Sequence, residues 1–263
     1  MSGTAEISYL YAVTRAPGPG PDPFEGVRGV GGRPVRTVEC DGLAAVVSAV
    51  PAAEFDEEAL KERFEDLVWL EEVARAHHTV VDAVTRSAVA VPLRLATLYR
   101  DDERVRRVLE REHAAFDSVL RRLDGRVEFA VKVFSVPTSP TEDAPAERGP
   151  GSGREYLRRR RERHRRRDEG WRLVGDLCDR IDAELLQRSR DRRTHRPQSA
   201  ALSRVEGENV MNAAYLVDEE DVASFLGAVG RLREQAPGEA RVEVSGPWAP
   251  YSFASLEMDG EGS

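Results

Sequence analysis

The mostly apolar run over residues 7–13 alternates aromatic, aliphatic and small side chains as a β-strand does, until Ala16-Pro17-Gly18-Pro19-Gly20-Pro21 interrupts any ladder or helix. Two further strand-like runs, residues 35–40 and 43–50, flank Asp41-Gly42. An Asp-Gly pair supplies the positive φ angles of a two-residue turn, so these runs predict a β-hairpin. The period then changes. Over residues 57–86, Leu60, Phe64, Leu67, Leu70, Ala74, His77, Val81 and Val84 recur every three or four positions, and Asp56, Glu57 and Glu58 suit a helix N-terminus. Residues 91–99 alternate again, with Pro92 confined to the start or an edge of the strand because it has no N–H to donate. A second helical pattern runs over 102–123 and stops at Asp124-Gly125, and a strand over 127–136 follows.

Residues 137–153 hold Pro, Gly, Ser, Thr, Glu and Asp without any period, a composition too poor in apolar groups to offset the entropy of ordering, and predict a flexible linker. Beyond it, 154–187 reads as one long helix with an apolar stripe only in its second half, through Trp171, Val174, Leu177, Cys178, Ile181 and Leu185. Its arginine-rich first half therefore projects into water. Residues 202–205 and 209–217 predict a second hairpin, Val222 to Leu232 a helix ended by Pro237-Gly238, and 241–245 a strand. The chain divides into an α+β domain over 1–136, the linker over 137–153, and a second α+β domain over 154–263. The first is expected as a ferredoxin-like sandwich with an added N-terminal strand or hairpin, its two long helices covering one face of an antiparallel sheet, and the second as another two-layer α+β unit.

Composition alters this picture little. Hydrophobic residues make up 40% and charged residues 33% of the 263, which fits folded domains. The formal net charge of −8 gives the whole chain no attraction for nucleic acid or an anionic membrane. No apolar run approaches the roughly 18 residues of a membrane-spanning helix, and residues 1–6 have no secretory pattern, so a cytoplasmic protein is expected. Cys40 and Cys178 share no ligand spacing and read as reduced packing residues.

Candidate chemistry is sparse. His77 and His78 are adjacent on a helix and so point about 100° apart, His77 toward the apolar stripe and His78 toward Glu71 and Arg75. They do not assemble the three or four ligands of a zinc site. Arg158 to Arg161, Glu162, Arg163, His164 and Arg165 to Arg167 form a basic run that reads as a solvated face or a contact for an acidic protein. The alternative is a regulatory nucleic-acid-binding helix, opposed by the adjacent Asp168 and Glu169 and by the acidic remainder. Gly26 to Gly32 lacks the spacing of a phosphate-binding loop, and no nucleophile, paired-carboxylate or metalloprotease motif is present. No catalytic residue, metal or cofactor is expected, and the chain reads as a non-enzyme.

Five segments together carry a resemblance. They are Tyr9-Leu-Tyr-Ala-Val13, Val91-Pro-Leu-Arg-Leu-Ala-Thr-Leu-Tyr99, Gly153-Arg-Glu-Tyr-Leu157, Asn212-Ala-Ala-Tyr-Leu-Val217 and Gly246-Pro-Trp-Ala-Pro-Tyr-Ser-Phe253. In this order the chain resembles the GvpL/GvpF family of gas vesicle proteins. It departs from the family pattern at Leu95-Ala96, where Phe-Gly is usual, and at Ala249, where proline is frequent. The resemblance implies two modified ferredoxin-like domains and an accessory role in gas vesicle formation. It also implies that the partners are the small hydrophobic shell protein and other accessory proteins, with no nucleic acid or membrane partner. Pro92, Arg94 and Leu95 on an edge-like strand of the first domain, and Trp248, Pro250 and Tyr251 in the second, are the partner-binding residues expected from exposure and unusual composition. The prolines around Trp248 and Tyr251 present these aromatics at low entropy cost, and the alternative is that they seal the end of their own domain core.

Overall fold

The computed structural model describes residues 5–18, 22–55, 57–63, 65–136, 153–196 and 207–255. Its first sheet contains β1 (Glu6–Arg15), β2 (Arg36–Cys40), β3 (Leu43–Pro51) and β4 (Ala90–Tyr99) in the order β2-β3-β1-β4, all neighbours antiparallel. β2 and β3 turn on Asp41 and Gly42, whose φ angles of 48° and 77° are those the Asp-Gly pair predicts. Short helices α1 (Ala52–Phe55) and α2 (Glu57–Arg63) lead to α3 (Leu67–Thr85), and α4 (Asp102–Arg111) and α5 (His113–Leu123) follow β4.

Both long helical patterns of the sequence are therefore divided. Asp66 stops the first, its carboxylate accepting from the N–H groups of Val68 and Trp69 at 3.0 and 3.2 Å and so capping α3. Glu112, at φ −97° and ψ 13°, separates α4 from α5. The helices also do not share one face. Tyr9 and Tyr11 of β1 pack with Val73, Val80, Val81 and Val84 of α3 and with Val30 in a 3-10 turn (Val30–Gly32). Ser8, on the opposite face of β1, donates at 2.7 Å to Asp102 of α4, which Arg36 also engages at 2.7 and 2.8 Å. β1 is covered on both sides, which is why seven successive residues, Ser8 to Thr14, are buried.

The second sheet corrects the expected domain boundary. β5 (Arg126–Ser135), expected to close the first domain, joins β6 (Asp191–Thr194), β7 (Glu208–Asp218) and β8 (Ala240–Trp248) in the order β6-β7-β5-β8. With α6 (Gly153–Leu186) and α7 (Val222–Glu234) this makes a βαββαβ unit with the ferredoxin-like strand order, the same order as the first sheet. In the first unit two 3-10 turns stand where the first crossover helix would be. The chain thus folds as two compact units, residues 1–127 with 248–263, and residues 128–247. Phe129, Tyr215 and Phe225 interlock in the second core, with ring centroids 5.3 and 5.7 Å apart. The expected strand at 202–205 and most of the linker, 137–152, lie outside the described residues. β7 instead pairs with Asp191–Thr194, a polar edge strand with no apolar alternation to announce it.

Candidate functional site

The distinctive feature of the first unit is a break in the β1–β4 ladder. Leu10 pairs with Thr97 and Ala12 with Pro92, so Tyr11 alone faces the four residues Leu93, Arg94, Leu95 and Ala96. A bulge this large leaves backbone groups without ladder partners, and such groups need replacements when buried. Tyr9 and His77 supply them. The Ala96 N–H donates to Tyr9 Oη at 3.0 Å, and the Leu93 carbonyl accepts from His77 Nε2 at 3.2 Å. Because a carbonyl only accepts, Nε2 carries the proton, and Nδ1 accepts from Tyr9 Oη at 3.1 Å. Thr97 Oγ1 donates to the Arg94 carbonyl at 2.7 Å and closes the bulge.

Burial sets the electrostatics of this network. His77 is 4% exposed, and the loss of hydration lowers its pKa to about 4, so the imidazole is neutral at pH 7. Burial likewise raises the Tyr9 and Tyr11 hydroxyls above the usual tyrosine value. Tyr11 Oη accepts from the Val30 N–H at 2.8 Å, and Gly29 lies so close that a Cβ there would come within 2.3 Å of that oxygen. Only glycine fits that approach. His77 is thus a structural pin for the bulge, with both ring nitrogens engaged.

From Trp248 onward the Gly246-Pro-Trp-Ala-Pro-Tyr-Ser-Phe segment lies in the first unit, not in the second, where it was expected. Ala249 joins the core of β1 and α3, and the Tyr251 and His77 ring centroids are 6.3 Å apart. Arg122 of α5 donates to the Phe253 carbonyl. Trp248 lies 5.8 Å from His78, ring centroid to centroid, and is 42% exposed. All six expected binding residues therefore belong to one unit, though not all to its surface. Pro92 is buried where it pairs with Ala12, and Pro250 is buried beside Ala249, which corrects the expectation that these prolines are displayed. Leu95 and Tyr251 are half-buried against the core, and Arg94 and Trp248 are exposed. The pinning residues Tyr9, Tyr11 and His77 were absent from the expected site. Their signals were the Tyr9-Leu-Tyr motif and the placement of His77 on the apolar stripe.

His78 and Asp82 lie 3.7 Å apart on the exposed side of α3. Among the described residues there is no group of three or more His, Cys, Asp or Glu side chains placed to hold a metal, and no helix long and apolar enough to cross a membrane.

The chain is thus a doubled ferredoxin-like α+β protein whose distinctive site is a bulge pinned by side-chain hydrogen bonds. The chain belongs to the GvpL/GvpF family of gas vesicle proteins, whose profile, described as gas vesicle synthesis protein GvpL/GvpF, matches residues 7–255. It is 48% identical over 261 residues to gas vesicle protein L of Streptomyces sp. (strain CB03234), covering 96% of this chain and 94% of that one. Gas vesicle protein L1 of Halobacterium salinarum is 26% identical over 243 residues, covering 86% and 83%. The crystal structure of gas vesicle protein GvpF from Anabaena sp. PCC7120 superposes with a TM-score of 0.68 at 18% identity, covering 98% of this chain and all of that one, and shares the fold.

Proposed function

We propose that this chain is an accessory protein of gas vesicle formation that holds the small hydrophobic shell protein during nucleation and assembly in the cytoplasm, together with other accessory proteins. The observation that carries this reading is the pinned bulge, which presents Arg94 on a backbone fixed from beneath, in the same unit as the exposed indole of Trp248. A rigid aromatic and an arginine are the side chains most enriched at interface hot spots, and pre-organisation lowers the entropy cost of using them. The same unit exposes Leu67 and Val68 at the start of α3, at 76% and 69%, further apolar surface suited to an apolar partner. Such holding needs no reacting group.

Pull-down of co-expressed shell protein by the tagged chain tests the reading. Trp248→Ala with Arg94→Ala should reduce retention at least about tenfold, the scale of a hot-spot loss of roughly 1.4 kcal/mol, without lowering the melting temperature. Unchanged retention contradicts the assignment of this surface, and a lowered melting temperature assigns Trp248 to the core instead.

A further inference from the structure

α6 is longer than its packing requires. It runs for 34 residues, about 51 Å at 1.5 Å per residue. Its buried apolar side chains are Val174, Leu177, Ile181 and Leu185, all in the C-terminal half. In the N-terminal half Leu157 is exposed, as are Arg158, Arg160, Arg161 and Arg165. Residues 154–167 contain nine arginines and two glutamates, a formal charge of +7. Since the whole chain carries −8, all other residues together carry −15. The basic charge is thus segregated onto one helical arm.

Such an arm is poorly stabilised by itself. Most helical stability in proteins comes from packing an apolar face, and this half buries none among its described side chains. Arginines stand one turn apart at 154 and 158, 159 and 163, 161 and 165, and 163 and 167, a spacing at which like charges destabilise a helix. Arg165 finds compensation from Glu162 at 3.2 Å and Glu169 at 3.7 Å. Along one face, Leu157, Arg158, Arg161, Glu162 and Arg165 line a groove of about 360 Å³. An apolar side chain set among three guanidinium groups matches carboxylates interspersed with an apolar residue, because each planar guanidinium can take a carboxylate bidentately. A phosphate backbone fits less well. Glu162 forms part of the groove wall, Asp168 and Glu169 follow on the same helix, and the rest of the chain repels polyanions.

We propose that the N-terminal half of α6 docks an acidic segment of a partner protein, received in the groove formed by Leu157, Arg158, Arg161 and Arg165. This surface is separate in sequence and in folding unit from the Arg94 and Trp248 surface, so one chain can hold two partners of opposite character.

Fluorescence anisotropy of the full chain with a labelled peptide of glutamates interspersed with leucine, at low and near-physiological salt, is the test. A labelled DNA duplex of equal net charge runs in parallel. The peptide should bind, weaken as salt rises, and lose at least tenfold in affinity in the Arg158→Gln, Arg161→Gln, Arg165→Gln variant. The matching lysine variant, which keeps the charge but loses the bidentate geometry, should bind between the parent and the glutamine variant, and Trp248→Ala should leave binding unchanged, which separates this surface from the shell-protein reading. Absence of peptide binding at low salt overturns the proposal, as does binding indifferent to the glutamine variant. Tighter binding of the duplex than of the peptide assigns the arm to nucleic acid and overturns it too.

Discussion

Ala96 carries a left-handed backbone, φ 58°, at the point where the bulge rejoins the ladder. An L-residue with a Cβ is disfavoured there by about 1–2 kcal/mol, whereas glycine is not. The Ala96→Gly variant should therefore stabilise the first unit by about 1 kcal/mol, read as a higher denaturant midpoint. The added freedom of glycine in the unfolded chain offsets part of the gain, and a lower midpoint contradicts the assigned conformation. This also gives a physical reason for glycine where the family pattern has Phe-Gly. His77 makes a second prediction. Its folded pKa of about 4 lies below the ordinary 6.5, so between those values the unfolded chain binds a proton that the folded chain does not. Its contribution is complete above pH 6.5 and is lost as pH falls toward 4, by up to about 3 kcal/mol at 1.36 kcal/mol per unit. Urea unfolding at pH 7 and 4.5 should show His77→Gln to be less stable than the parent at pH 7 but less sensitive to the drop. Equal sensitivity of the two proteins contradicts a buried neutral imidazole.

Among the elements, those fixed by local chemistry were legible and those fixed by distant partners were not. The Asp41-Gly42 hairpin follows from two residues and formed in the expected register. β5 was readable as a strand, but nothing in residues 127–136 says which sheet it joins, because strand pairing is decided by surfaces elsewhere in the chain. β6 is held by main-chain pairing to β7 and has no apolar alternation, so pattern reading passes over it. The site shows the same division. The Pro92 to Ala96 run and the Trp248 segment were singled out by composition, yet the Tyr9 to His77 bond joins residues 68 apart in sequence and needs the fold to be seen. The return of residues 248–255 to the first unit has a testable consequence. Ala249, Phe253 and Ala254 are buried and Arg122 holds the Phe253 carbonyl, so removing residues 249–263 should raise hydrogen exchange in β1 and α3. Protection in β7 should persist. Equal loss in both, or in neither, contradicts the placement of this segment in the first core.

At the scale of the molecule, the same strand order occurs twice, and the two units present different surfaces. The first is a pinned bulge with exposed Arg94, Trp248, Leu67 and Val68, and the second a basic helical arm on an otherwise acidic chain. Length and composition made two domains legible, while the crossing of β5 and of the 248–255 segment between units was not, since neither changes the local period. Family membership places the chain among gas vesicle proteins. The central claim, that the chain holds the shell protein, is tested most directly by measuring how much shell protein stays soluble when expressed with and without the chain. The shell protein should move into the soluble fraction when the chain is present and co-purify with it, and both effects should diminish with Trp248→Ala and Arg94→Ala. Identical partitioning with and without the chain, in cells that still form vesicles in its absence, contradicts it.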